Sequence, residues 1–498
     1  MIFFSMNRSV RVVCAVLLWS VVVQAQPNTA PKTYGNQILA DNLRKYLSVI
    51  AADSMEGRAT GSHGQAMAAD YIKSHFKKIG LDPITSDFYQ KVPLFAMAPG
   101  RSALSASEYQ FSNFKDFAYL GIGPAKKDRV PLIYVANDNI SVAEDLDIDG
   151  KAVLIVSNKR SNELPVQNLL DRGAALVMLC ISKDDQSFLQ YAGRIQSHLE
   201  SSRPSLNKPE ATSEFESLVF VSPSFVEKLF KAPFDKLKSI ADRSDLEKIE
   251  PSQISYELRN EIKEIETGNV LGFLEGTDRK NDVIVVTAHY DHIGVLEAGN
   301  GDRINNGADD DGSGTVAVME LARVFAKAKK EGNGPRRSIL FMTVTAEEIG
   351  LFGSYYYTEN PIIPLDQTMV NLNIDMIGRT DGAHSETPEY VYVIGADKLS
   401  KELNAVSENT NQQNTNLMFD YTYNDVSHPS NLYKRSDHWN FAKNDIPIIF
   451  YFDGIHQDYH RPSDEIELIE FPLFEKRTRL IFYTTWELAN RDKKITVD

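Results

Sequence analysis

An α/β fold with a largely parallel central sheet is predicted for most of this chain, on three observations. From about residue 270 onward, short apolar runs alternate with segments of helical periodicity, the pattern of strands joined by helical crossovers. The apolar runs each lead into His, Asp or Glu side chains, and open α/β sheets bind ligands beyond the carboxyl ends of their strands. The 498 residues are 42% apolar and 24% charged, which matches an ordinary globular chain with material for a large core. That composition argues against a chain disordered throughout, a collagen or a multispan membrane protein.

The elements follow in order. Arg8 and Arg11, then the apolar stretch 12–23 and the small-residue site around Ala25, read as an export signal over residues 1–25; the stretch is shorter than the roughly 20 residues a membrane span needs. Ile38, Leu39, Leu43, Tyr46 and Leu47 share one helical face, as do Met67, Tyr71, Ile72 and Phe76 in a second helix over 64–79 that Gly80 closes. A turn-rich loop, 56–62, lies between them. Residues 101–250 have a different texture: strand-like runs at 130–136, 152–156 and 174–181, and a polar stretch with Pro204 and Pro209 over 183–215. They read as a smaller α/β domain inserted into a larger one, so that 26–100 and 251–498 form one discontinuous domain. Within the latter, strands are expected at 283–288, 339–344, 369–374 and 446–452, and helices at 313–327 and 472–490.

Beyond Cys14 in the expected signal, Cys180 is the other of the two cysteines; its apolar surroundings make it a buried, inert thiol. The net charge of −15 argues against non-specific nucleic-acid binding, which needs a basic surface.

The chemistry gathers at the strand ends. The first strand runs into His289, Asp291 and His292, and the next loop carries Asp309, Asp310 and Asp311 before a helix. The second strand leads to Glu347 and Glu348, the third to Asp375, and the fourth to His456, Tyr459 and His460. Singly these are weak signals, since acidic residues before helices are usually caps. Together, imidazoles and carboxylates at successive strand ends suit zinc, or less selectively manganese or cobalt, and their number suits a pair of ions sharing one carboxylate.

At these motifs, Ala288-His289-Tyr290-Asp291-His292-Ile293-Gly294, 307–314, 346–350, Asn373-Ile374-Asp375-Met376 and Tyr459-His460-Arg461-Pro462-Ser463-Asp464, the sequence resembles the co-catalytic di-zinc exopeptidases. That family is typified by bacterial leucyl aminopeptidases, aminopeptidase Y and glutamate carboxypeptidase. The resemblance covers nearly the whole chain outside the expected signal and insert, and the insert resembles a protease-associated domain. It implies a zinc-exopeptidase-like sandwich, a mostly parallel mixed sheet flanked by helices, with two Zn2+ ions per chain (Mn2+ or Co2+ as substitutes). His289, Asp310 and Asp375 are implied as ligands of one ion, and Asp310, Glu348 and His460 of the other. Asp310 is preferred over its neighbours because the family's ligand lies three residues before the Ser of a Ser-Gly pair, here Ser313. Glu347 is implied as general base, Tyr459 as a donor to the oxyanion, and Asp291 as the group behind the His289 ring that fixes its tautomer.

The chemistry of the residues agrees. Water between two cations is acidified, Glu347 takes its proton, the resulting hydroxide attacks the scissile carbonyl, and Glu347 passes the proton to the leaving amine. The expected function is exported hydrolysis of peptide bonds at chain ends, periplasmic or extracellular, on peptides with a free amino terminus. No nucleic acid and no stable membrane span are expected. Carboxypeptidases and dipeptidases of the same fold are alternatives, as is glutaminyl cyclase, which uses one zinc; the full ligand set argues against the cyclase. His292 and His456 are read as loop or packing residues, Asp309 and Asp311 as cap and loop residues. Asp437 is read as either a buttress or a helix cap.

Overall fold

The apolar runs become the centre of an eight-stranded sheet in the computed structural model, which describes residues 30–121, 126–136, 146–201, 203–209, 216–239, 253–299 and 301–498. The expected signal, 1–25, lies outside the described residues. The strands are β1 (Tyr89–Lys91), β2 (Gly268–Leu274), β3 (Arg279–His289), β4 (Arg337–Val344), β5 (Thr368–Ile374), β6 (Tyr390–Ile394), β7 (Met418–Asp420) and β8 (Ile448–Phe452), in the order β1-β2-β4-β3-β5-β8-β6-β7. Neighbours β4, β3, β5 and β8 run parallel, and antiparallel pairings flank them on either side. The sheet is therefore mixed with a parallel centre, as expected.

Both faces of that centre are covered, which is why its strands read as continuous apolar runs rather than alternating ones. On β3, Ile284, Val286 and Ala288 join one core while Val283 and Val285 join another. The first core is covered by helices α1 (Ala40–Ile50), α2 (His63–Ile79) and α3 (Gly312–Lys330) and by the long C-terminal helix Phe471–Asn490. The second is covered by Phe352–Glu359 and His438–Ala442. Ser62 caps α2 by accepting from Gln65 N–H, and Gly80, at φ +84°, ends it, as a residue without Cβ does readily.

A second eight-stranded sheet is built from residues 103–258. Its strands Lys126–Ala136, Ala152–Val156, Leu176–Cys180 and Leu218–Val221 are parallel neighbours. Cys180 ends one of them at 1% exposure, and burial pushes its thiol up to about 12.

One expectation needs correction. The boundary at 250/251 cuts the second unit: Gln253–Leu258 pairs with Ala103–Ala106 and Lys126–Ala136. Its alternating Ile254, Tyr256 and Leu258 are buried in that unit's core. The chain enters and leaves this unit along a two-stranded ribbon, Leu94–Ala98 against Glu261–Ile265. The polar stretch 183–215 also holds a helix, Asp185–Glu200, capped by Asp184. Phe188, Ala192, Ile195 and Leu199 face inward at helical spacing, a periodicity hidden by the polar residues between them.

Candidate metal centre

The carboxyl ends of β3, β4, β5 and β8 converge on a pocket lined by His289, Asp310, Glu347, Glu348, Asp375 and Tyr459 among others. His289 is the last residue of β3 and is 1% exposed. Its Nε2 lies 3.4 Å from Asp310 Oδ1, 3.6 Å from Asp375 Oδ1 and 4.0 Å from Glu347 Oε2. On the other side of Asp310, His460 Nε2 sits 3.1 Å from Asp310 Oδ2 and 3.1 Å from Glu348 Oε2. The two oxygens of Asp310 thus face the two halves of the cluster, the geometry of a shared carboxylate. All five side chains expected as ligands come together.

Two donor sets support cation binding here: His289, Glu347 and Asp375 offer donor atoms within 4.8 Å of one another, as do His292, Asp310 and Glu348, so Glu347 and His292 reach the same two positions as the expected ligands. Asp310 Oδ2 is buried without a hydrogen bond although an imidazole nitrogen lies 3.1 Å away, so the two atoms approach a common point without bonding each other. A protein interior does not gather this many carboxylates without positive charge to answer them.

The environment separates the two glutamates. Burial pushes the Glu347 carboxyl well above its ordinary value; His289 opposes this and Glu348 and Asp375 reinforce it. Burial also works against ionised Asp310, but His292, His289 and His460 overcome it and hold the carboxyl well below the usual range. Burial, with Asp310 and Glu348 beside it, keeps the Tyr459 hydroxyl protonated; its ring stacks on His460 with centroids 3.9 Å apart.

Asp291 requires a correction. The His289 ring is fixed by the backbone carbonyl of Asp291, 3.0 Å from Nδ1, which leaves Nε2 for the centre. The Asp291 carboxylate lies 4.0 Å from that nitrogen. It accepts instead from Thr60 Oγ1 at 3.0 Å and from the backbone N–H of Glu347 at 3.1 Å. Its carboxylate holds the Glu347 backbone, and its carbonyl holds the His289 ring.

His292 is closer to the chemistry than a packing residue. Its Nδ1 is 2.7 Å from Glu348 Oε1, which directs the other carboxylate oxygen toward His460. His456 instead pairs with Asp309 at 3.3 Å. Asp311 caps α3 through Gly314 N–H and also accepts from His289 N–H and Met376 N–H, tying the ends of β3 and β5 to the start of α3. Asp437 accepts from Ser354 Oγ and makes no cap hydrogen bond.

Three further residues had no role assigned from the sequence. Arg58, fully buried, donates to the carbonyls of Tyr290, Ile50, Asn306 and Gly307 at 2.6–3.0 Å. Asp464 accepts from the backbone N–H groups of Asp309 and Asp310. Arg435 lines the pocket.

Residues 269–485 match the sequence profile of Peptidase family M28. The aminopeptidase YwaD of Bacillus subtilis is 28% identical over 234 residues, 45% of this chain and 46% of that protein. A probable zinc metalloprotease of Pyrenophora teres f. teres is 27% identical over 269 residues, 46% of this chain and 54% of that protein. The chain spans about half the length of these curated relatives. Among solved structures, an aminopeptidase from Aneurinibacillus sp. strain AM-1 is similar at a TM-score of 0.48 and 18% identity, over 94% of this chain and 98% of the other.

Proposed function

We propose, from the premise that the chain belongs to peptidase family M28 through residues 269–485, that it is a zinc-dependent exopeptidase holding two ions and acting as an exported aminopeptidase. The observation that supports this reading best is the convergence of His289, Asp310, Glu348, Asp375 and His460 in one pocket with Glu347 beside them. His289, Asp310 and Asp375 would hold one ion, and Asp310, Glu348 and His460 the other. When bound, zinc supplies Lewis acidity toward a carbonyl oxygen and acidifies water.

The remaining work falls to the chain. Glu347, buried and held through its backbone by Asp291, takes a proton from the attacking water. The water oxygen bonds to the scissile carbon, Glu347 returns the proton to the leaving nitrogen, and the C–N bond breaks. Tyr459, kept protonated, donates to the oxyanion that forms. The unit at 103–258 is read as a protease-associated module. Export rests on the pattern of residues 1–25.

Substrate panels with free or blocked amino termini, run with and without chelator, test the reading. Expected are cleavage that requires a free amino terminus, loss on chelation, and metal content near two per chain. Glu347→Ala should keep that metal and lose about 10²–10⁴-fold in kcat; near-native turnover in this variant would remove Glu347 as the base.

A further inference from the structure

We infer that Arg435 is a specificity-determining residue that recognises a substrate carboxylate, so the favoured substrates are short peptides carrying one beside the scissile bond. This rests on the peptidase reading above. Arg435 is the only arginine or lysine among the pocket-lining residues, and no carboxylate of the described residues lies within ion-pair distance of its guanidinium. The acidic groups in the same pocket face the histidines: Asp310 and Glu348 face His460, and Asp375 faces His289. The rest of the lining is largely apolar, with Met376, Leu432, Phe450 and Phe452, and offers the cation no anion.

The base of the side chain is held while its head is free. Arg435 N–H donates to Leu432 O at 3.1 Å. Ser436 next to it is buried and bonded to Asn373, and Asp437 is buried and bonded to Ser354. Arg435 is exposed, and a guanidinium on a held backbone beside an apolar pocket wall suits bidentate capture of a carboxylate. Two sources share that chemistry: an acidic side chain on the amino-terminal residue, and the terminal carboxylate of a dipeptide.

The experiment uses the full zinc-loaded chain and two substrate pairs. Glu- against Gln-p-nitroanilide varies the side chain, and Leu-Gly against Leu-Gly-amide varies the terminal carboxylate. In the unaltered protein, the charged member of one pair should show kcat/KM at least about tenfold higher than its neutral partner, mainly through KM. Arg435→Gln should erase that preference and leave the neutral members within about twofold, and Arg435→Lys should retain part of it. The responding pair identifies the source. An unchanged preference in Arg435→Gln, no preference in the unaltered protein, or an equal fall on charged and neutral members overturns the inference. Cleavage of none of the four substrates sinks the peptidase reading itself, because the neutral members require only that reading.

Discussion

His292 and His460 both bring an imidazole nitrogen to Glu348, at 2.7 and 3.1 Å, but they are not equivalent. His292 Nδ1 is hydrogen-bonded to Oε1, whereas His460 Nε2 lies between Asp310 Oδ2 and Glu348 Oε2, 3.1 Å from each. A ligand needs a free lone pair aimed at the ion, while an orienting residue spends its N–H on the carboxylate. If the centre holds the proposed two ions, His460→Ala should therefore lower metal content from about two ions to about one per chain. His292→Ala should keep both and weaken affinity about 10–100-fold. Metal analysis after dialysis against graded chelator separates the two, and the reverse result would exchange their roles. The sequence placed both histidines beside ligands, but spacing alone could not rank them, because the distinction lies in which ring atom faces which oxygen.

Between elements, the site depends on a loop far from it in sequence. Gly57 has φ +62°, and a Cβ there would lie 2.5 Å from Asn305 O, so only glycine lets this loop approach the 305–307 backbone. The next residue, Arg58, then joins the end of α1 to the loops on both sides of the centre through Ile50, Tyr290, Asn306 and Gly307 carbonyls. Its charge also answers the buried Asp310, Asp464, Asp311 and Asp291. Arg58→Met leaves those carbonyls and charges without their partner, and should cost about 3–5 kcal/mol of stability. Arg58→Lys should restore little, since an ammonium cannot span the same fork of acceptors. Denaturant midpoints measure both variants; an unshifted midpoint for Arg58→Met would show that the cross-link is dispensable. Ala346 after β4, Met376 after β5 and His460 in the loop beyond β8 adopt φ of 57°, 61° and 57°, left-handed backbone that each non-glycine residue holds at a cost of about 1–3 kcal/mol.

At the scale of the molecule, packing against the parallel sheet removes histidines from water. His75, between α2 and α3, donates from Nε2 to Met319 O at 3.0 Å. Burial, aided by Arg323 and Lys78, pushes it from 6.5 down to about 4. The unfolded chain therefore binds the extra proton first, so this contribution to stability is intact above pH 6.5 and is lost as pH falls toward 4, by up to about 3 kcal/mol. His75→Gln keeps a donor for Met319 O and should flatten the fall in stability between pH 6.5 and 4.5. Equal pH slopes for both proteins would show that His75 does not titrate there. The sequence by itself determined the parallel centre of the sheet and the donor set. Strands buried on both faces must be apolar throughout, and only a few side chains can serve as ligands, so both leave a local record. Tertiary structure alone decided that Gln253–Leu258 belongs to the second sheet, that Asp291 holds His289 by its carbonyl, and that Arg58 and Arg435 face the centre's supports and its pocket. Each of those depends on hydrogen bonds, distances and packing between segments remote in the chain, or on which atom of one residue faces its neighbour, and residue order does not encode either directly.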